Sequence, residues 1–144
     1  MEERFKTFTT LITDISRKIR KIKNEEIEIF NLKAPHVSCI YYLYINGDMT
    51  SKELTDLTDE DKANISRSIE YLEKNGFITC NSDTQKRYRA PLLLTEKGKE
   101  VGEYIVNKID TYLEKASRGI TEEMRINMYD SLFLISKNLD TISD

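Results

Sequence analysis

Residues 50–76, TSKELTDLTDEDKANISRSIEYLEKNG, are the stretch that decides the fold. Their apolar spacing predicts two short helices joined by a tight turn. The first helix is expected to direct Leu54 and Leu57 inward. The second helix has an apolar stripe at i, i+4 and i+7, formed by Ile65, Ile69 and Leu72.

The outer face of the second helix is small or hydrogen-bonding. Asp61 is placed to cap this helix, because its carboxylate can accept from the free N–H groups of the first turn. Such a surface suits the second helix of a helix-turn-helix, which reads base edges in the major groove. Two amphipathic helices that only bury each other are the alternative. The outer-face residues are Lys62, Ala63, Asn64, Ser66, Arg67 and Ser68.

Length and composition indicate one helix-rich domain. The chain has 144 residues, of which 39% are hydrophobic and 33% are charged. No run of apolar residues is long enough to span a membrane. The first ten residues, MEERFKTFTT, lack the apolar core of a signal peptide. We therefore expect a cytoplasmic protein with no membrane partner.

The cysteines and the single histidine do not form a recognisable site. Cys39 and Cys80 are 41 positions apart, and His36 is the one histidine, so no zinc or redox spacing is present. Two ordinary reduced thiols are the simple interpretation, and a redox sensor is the alternative. No nucleophile–base arrangement or glycine-rich phosphate loop is present, which speaks against an enzyme and against a bound cofactor.

Charge is segregated along the chain, although the net charge is −3. Residues 62–99 contain eight Lys or Arg and four Asp or Glu, whereas residues 25–61 contain two and nine. The second helix of the pair and the segment after it are therefore locally basic. A local basic surface is the electrostatic requirement for binding nucleic acid.

The segment after the helix pair predicts a β-hairpin. Residues 77–80 and 87–94 read as strands around a polar loop. Its tip carries Lys86, Arg87 and Arg89, which suit phosphates or the minor groove beside a reading helix.

Both ends of the chain predict long helices with narrow apolar seams. Residues 5–30 have apolar side chains at alternating steps of three and four, and the helix that follows Thr121 repeats this pattern. A further long helix is predicted from Glu96 to about Ser117, with Thr95 as its cap. A fold of this size cannot easily bury two such seams by itself. Pairing with a second copy would bury them, so we expect a homodimer.

Five segments together resemble the MarR family of winged-helix transcriptional regulators over nearly the full chain. Residues 32–36 are similar to the family's entry to helix two, and residues 50–54 to its helix three. Residues 61–67 match the D-K-x-x-x-x-R start of its recognition helix. Residues 72–78 match the L-E-x-x-G-[LF]-[IV] exit, and residues 94–98 match the L-T-x-x-G after the wing.

The resemblance implies a fold that is mainly α with a small β-hairpin. A winged helix-turn-helix would cover residues 32–95, with a recognition helix at about 61–75 and a wing at about 77–94. Residues 1–30 and 96–144 would form a helical dimerisation region. The wing departs from the family pattern, because Lys86 stands where an acid usually precedes the wing-tip arginine.

The resemblance also implies a function: a homodimer that binds palindromic operator DNA, usually as a repressor. Release by a small aromatic ligand is expected, since the redox branches carry a sensing cysteine in the first helix and this chain has none there. A winged-helix module that binds protein rather than DNA is the alternative, motivated by the acidic residues 59–61.

Two sets of site residues follow. For double-stranded DNA, Ser51 and Lys52 would hold phosphates, and the wing would contribute its three cations. The base-reading residues would be Lys62, Asn64, Ser66 and Arg67. For the effector, the family's pocket position indicates five wall residues, with ordinary core packing as the alternative. These are Ile15, Ile19, His36, Ile40 and Tyr44.

Overall fold

The computed structural model describes residues 2–26, 30–80 and 90–143. Within these ranges the chain forms six α-helices and one two-stranded antiparallel sheet. In chain order the elements are α1 (Glu2–Glu26), α2 (Ala34–Asn46), α3 (Ser51–Leu57), α4 (Lys62–Lys74), β1 (Ile78–Cys80), β2 (Leu92–Leu94), α5 (Glu96–Ala116) and α6 (Glu122–Ser143). The predicted fold class, mainly α with a small β-hairpin, is confirmed.

The core lies where α2, α3 and α4 pack together with the sheet. Helix α2 is the most apolar of these three helices and buries five side chains, while α4 buries only one stripe. Burying an aliphatic side chain of this size contributes about 1.5–3 kcal/mol. The largest fully buried side chains are Val37, Cys39, Ile40, Leu54, Ile65, Leu72, Ile78 and Ile105.

Side-chain caps define where the two central helices begin. Thr50 Oγ1 accepts from the backbone N–H of Glu53 at the start of α3. Asp61 Oδ1 accepts from the backbone N–H of Asn64 at 2.7 Å, which confirms the predicted cap of α4. Each cap satisfies one of the free N–H groups of a first helical turn and contributes about 0.5–2 kcal/mol. The Asp61 cap therefore fixes the end of the turn that separates the two helices.

The sheet makes one backbone contact that the sequence does not indicate. Strand β1 pairs with β2 in the register Ile78 with Leu94 and Cys80 with Leu92. Met49, between α2 and α3, forms an isolated bridge to Leu92, and each accepts the other's backbone N–H. This bridge was not predicted, because a single residue leaves no alternating pattern. It joins the hairpin to the start of the helix-turn-helix.

Gly98 allows α5 to approach the sheet. A Cβ atom at this position would lie 2.1 Å from the backbone oxygen of Phe77. Thr95, one turn earlier, accepts the N–H of Gly98 through Oγ1 and donates the same hydroxyl toward the carbonyl of Gly76. The predicted Thr95 cap is confirmed, and it fixes α5 against the exit of the hairpin.

Some predicted boundaries and orientations were wrong. The first helix was predicted to begin at residue 5 and begins at Glu2; it is described to Glu26, and residues 27–29 of its predicted range lie outside the described ranges. The second strand was predicted over residues 87–94; residues 92–94 are a strand, and residues 87–89 lie outside the described ranges. Leu57 is 49% exposed rather than inward, because it is the last residue of a helix of only seven residues.

The chain divides into two compact units, residues 1–107 and residues 108–144. The second unit contains the end of α5 and the whole of α6. Gly119 has a positive φ of 84° in the turn before α6, and Thr121 Oγ1 accepts the N–H of Met124 at the start of that helix. None of the described helices is both long enough and apolar enough to cross a membrane.

Candidate nucleic-acid interface

The outward face of α4 is polar and basic. Lys62, Ser66 and Arg67 are exposed, and Asn64 is half-buried. The opposite face is held in the core by Ile65 and by the other buried residues of the helix. Packing therefore fixes which side chains of α4 point toward solvent.

Ser68 was predicted on the outer face of α4 but is only 3% exposed. Ile65, Ser68 and Leu72 lie at i, i+3 and i+7, so all three point inward. A serine at this position is small enough for α2 to pack closely against α4. The helical period placed Ser68 inside, although its polarity suggested the outside.

A cavity lies beside this face of α4, between α3 and the sheet. Its volume is about 720 Å³. Four of the predicted DNA-binding residues, two from α3 and two from α4, line this cavity. They are Ser51, Lys52, Lys62 and Ser66. The structure thus brings both predicted phosphate contacts and two of the four predicted base contacts to one concave surface, whereas Asn64 and Arg67 do not line it.

A polar network connects α4 to α1. Arg20 Nη1 lies 2.7 Å from Glu60 Oε1, and the Glu60 side chain is only 6% exposed. Glu60 Oε2 accepts from Asn64 Nδ2 at 3.0 Å, and Asn64 Oδ1 accepts from the guanidinium of Arg67. Four side chains therefore form one chain of contacts that ends at the exposed face of α4.

Cys39 is buried near the same carboxylate. Burial raises the pKa of the Cys39 thiol to about 12, and the charge of Glu60 acts in the same direction. A thiol with this pKa is protonated at neutral pH, and the thiolate is the reactive form. The environment of Cys39 therefore disfavours a redox role.

Comparisons with known proteins agree with this geometry. The family model described as a winged helix DNA-binding domain matches residues 36–113. Among solved structures, a MarR family transcriptional regulator from Listeria monocytogenes, complexed with a 26mer DNA, is 26% identical and has a TM-score of 0.83. The match covers 91% of this chain and 87% of that one. This protein belongs to the MarR family of winged-helix transcriptional regulators.

Two curated relatives extend the same result. The HTH-type transcriptional regulator YwoH of Bacillus subtilis is 31% identical over 98 residues, which are 68% of this chain and 72% of YwoH. YybA, another HTH-type transcriptional regulator of that organism, is 27% identical over 126 residues, 88% of this chain and 84% of YybA. This MarR protein is thus a transcriptional regulator and not an enzyme.

The predicted wing residues are not placed by the structure. Lys86, Arg87 and Arg89 lie within residues 81–89, outside the described ranges. The strands that lead into and out of this segment are described, and they form the paired base of the hairpin. Contacts of the three cations therefore stay a prediction.

The five predicted effector residues of this MarR protein lie in different environments. Ile15 and Ile19 are exposed on α1, Tyr44 is exposed at the end of α2, and Ile40 is completely buried. None of the five lines the cavity beside α4, or a second cavity of about 410 Å³ between the end of α2 and α3.

His36 is the fifth of these residues, and it has structural partners. Its Nδ1 accepts from the backbone N–H of Lys33 at 3.0 Å. Its ring is stacked on Tyr71 of α4, with 4.3 Å between centroids and an interplanar angle of 7°. Burial, and then the charge of Lys33, lower the pKa of His36. His36 therefore acts as a packing residue in the first turn of α2.

Glu60 and Arg20 are the residues that sequence reasoning missed. Glu60 was counted only among the acidic residues 59–61. Their pairing joins positions 40 residues apart in the chain. Only the contact between Glu60 and Asn64 has a signal in the sequence. Glu60 lies four residues before Asn64, so the two side chains can meet at the start of a helix.

Proposed function

We propose that this MarR regulator binds palindromic operator DNA as a homodimer and acts as a repressor that a small aromatic ligand releases. The observation that carries the proposal is the exposed face of α4, where Lys62, Ser66 and Arg67 are open to solvent. The apolar stripe behind that face is buried, so the helix can be presented to a groove without losing its packing.

The exposed side chains have the chemistry that base reading needs. Arginine can donate two parallel hydrogen bonds to O6 and N7 of guanine, and serine can donate or accept. Lys62 and Lys52 add charge at the edge of the concave surface, where phosphates would lie. Ser51 is at the start of α3, where hydroxyl and backbone N–H groups suit a phosphate oxygen.

The Listeria relative supports DNA as the ligand. That protein was solved with a 26mer DNA, and its fold corresponds to this chain over most of both lengths. We extend the same mode of binding to this chain, with the wing cations Lys86, Arg87 and Arg89 near the phosphates or minor groove beside the recognition helix.

Exposed apolar side chains support the dimer. On α1, Ile12 and Ile15 are 40% and 51% exposed. On α6, Leu139 and Ile142 are 55% and 77% exposed. A row of exposed apolar side chains on a helix marks a site of association. A two-fold dimer would present two recognition helices about 34 Å apart, one turn of DNA, to a palindromic site.

Ligand release and repression rest on the family resemblance. The effector residues would be Ile15, Ile19, His36, Ile40 and Tyr44, at the place where family members bind aromatic compounds. A reporter fused to the selected operator tests the sign of regulation: deletion of the regulator should raise its expression, and a phenolic effector should do the same.

Binding is tested by selecting sequences from a random DNA pool, followed by gel-shift titration. Arg67→Ala should lower operator affinity by about 1–3 kcal/mol, or roughly 5- to 150-fold, and relax base preference. Arg87→Ala should weaken binding to all sequences more evenly and reduce the salt dependence. Lys99→Ala, which removes an exposed cation outside the proposed interface, is the matched control and should bind like wild type.

Two results would contradict the proposal. Equal binding by wild type, Arg67→Ala and Arg87→Ala would remove both residues from the interface. A wild-type protein that retains no DNA at low salt but captures a protein partner would favour the interaction-module alternative.

A further inference from the structure

The network that ends at Arg67 changes the role assigned to Asn64. We infer that Asn64 is a positioning residue, which holds the reading guanidinium of Arg67, and that Glu60 in turn positions Asn64. This inference rests on the proposed function, and it replaces the prediction that Asn64 itself reads a base.

Glu60 is the fixed point of the network. Its side chain is only 6% exposed, and its two carboxylate oxygens contact different partners, Arg20 of α1 and Asn64 of α4. A buried carboxylate is stable in a fold only when it is paired and hydrogen-bonded. Arg20 supplies the charge, and Asn64 supplies a hydrogen bond to the second oxygen.

The neighbours of Asn64 determine which way its amide points. Glu60 has a carboxylate, which only accepts hydrogen bonds, so the NH₂ group of Asn64 must face it. Arg67 has a guanidinium, which only donates, so the carbonyl oxygen of Asn64 must face that side. The amide is therefore oriented from both ends, in the one way that satisfies both partners.

This orientation restricts base reading by Asn64. An asparagine reads adenine by turning its NH₂ and its oxygen together toward N7 and N6 of one base. In this structure each of those two groups already makes one hydrogen bond within the network, and the side chain is half-buried. Reading a base would require Asn64 to use its second N–H and its second lone pair without turning, or to leave both Glu60 and Arg67.

The same contacts leave Arg67 available for DNA. A guanidinium has five N–H donors, and Arg67 uses its Nη2 group for Asn64. Its remaining donors are on an exposed side chain and can address O6 and N7 of a guanine. An arginine already held in one direction loses less conformational freedom on binding.

The first test compares base preference rather than affinity alone. Asn64→Ala, Arg67→Ala and the double variant would each be put through selection from a random DNA pool. If Asn64 positions Arg67, both single variants relax the same base pair. The double variant should then bind the operator within about twofold of Arg67→Ala, because a residue that acts through Arg67 adds nothing in its absence.

The second test removes the fixed point of the network. Glu60→Ala should reduce the ratio of operator to random-sequence affinity by about tenfold and relax the base pair that Arg67→Ala relaxes. Glu60→Gln keeps one acceptor oxygen but not the charge opposite Arg20, so its ratio should fall between those of wild type and Glu60→Ala. Circular dichroism and thermal melting would check that each variant is folded.

Asp59→Asn is the matched control for Glu60. Asp59 is exposed and adjacent, and its substitution changes the net charge by the same amount as Glu60→Gln. Removing a carboxylate near DNA should raise affinity for every sequence alike, without changing base preference. A loss of preference in Glu60→Gln but not in Asp59→Asn therefore reports positioning rather than charge.

The outcomes separate this inference from the proposed function. A wild-type protein that enriches no sequence overturns both. A wild type that enriches an operator, with Asn64→Ala and Arg67→Ala relaxing different base pairs or having additive effects, overturns the inference alone. If Glu60→Ala fails to fold, the comparison of Asn64→Ala with Arg67→Ala decides the result.

Discussion

Helices α4 and α6 have the same kind of apolar spacing and bury it to very different extents. In α4, Ile65 is 1% exposed and Leu72 is fully buried. In α6, Leu139 and Ile142 keep more than half of their surface open, and Leu132 is only half-buried. The stripe of α4 is covered by elements of its own unit, whereas the stripe of α6 has no comparable cover among the residues that the structure describes.

This difference shows what a helical period can and cannot predict. Spacing at three and four residues indicates that a helix has a packing face. It does not indicate whether the surface that covers the face is in the same chain. For α4 the cover is α2 and the sheet. For α6 we propose that it is a second copy, and the two helices can be tested against each other.

The largest effect is expected from charges placed on the stripe of α6. The double variant Ile135→Glu with Leu139→Glu should dissociate the proposed dimer and abolish operator binding at the concentrations where wild type binds. The proposed interface loses two aliphatic side chains from each protomer, four in all, which costs about 6–12 kcal/mol, a rise of roughly 10⁴- to 10⁹-fold in the dimer dissociation constant. Analytical ultracentrifugation measures this directly.

Lys137→Glu is the control for this double variant. It changes the net charge by the same two units and lies on the opposite face of α6, because each residue turns a helix by about 100°. It should remain dimeric. A double variant that sediments like wild type would show that α6 does not form the interface, and the comparison with α4 would lose its explanation.

A smaller effect separates burial within the chain from burial between chains. Leu72→Ala in α4 should lower the free energy of unfolding by about 2–5 kcal/mol, because a fully buried leucine leaves a cavity. Leu139→Ala in α6 should act only through association. Urea unfolding at high and low protein concentration distinguishes them: Leu72→Ala should shift the midpoint at both, and Leu139→Ala at high concentration only.

The contrary outcome for this pair is also informative. Equal shifts for Leu139→Ala at both concentrations would mean that Leu139 is covered within its own chain. A Leu72→Ala variant with the stability of wild type would contradict the burial of α4 in the core.

How far the sequence predicted the structure depends on whether the deciding interactions are local. Asp61 and Thr95 were predicted as caps because a cap depends on residues within one turn, and both are observed. The order of helices and strands followed from local periods in the same way. The family resemblance added the winged helix and the regulator function, both of which are confirmed.

The parts of the site that were missed depend on contacts between distant residues. Arg20 of α1 and Glu60, in the turn before α4, form an ion pair, and no local pattern indicates it. Met49 pairs with Leu92 through backbone atoms alone, which leave no trace in side-chain type. Ser68 was misplaced because residue polarity was weighed above the helical period. The site residues themselves stay predictions.

The smallest expected effect concerns the packing of His36 against α4. His36 stacks on Tyr71, beside Leu72, and its pKa is lowered by burial and by Lys33. The unfolded chain, with a histidine pKa near 6.5, therefore binds a proton more readily than the folded chain does. Stability should be complete above this value and should decline as the pH falls below it, until the folded-state pKa is passed.

His36→Asn provides the comparison, because asparagine does not titrate in this range and keeps an acceptor for the N–H of Lys33. Urea midpoints between pH 5 and 8 should fall more for wild type than for His36→Asn. The dimer dissociation constant should depend on pH in the same way for both proteins, since His36 packs against Tyr71 of α4. If acid weakened association instead of lowering the stability of the fold, the histidine would have to act at the dimer interface. The contrast between α4, buried within the chain, and α6, buried between chains, would then not hold.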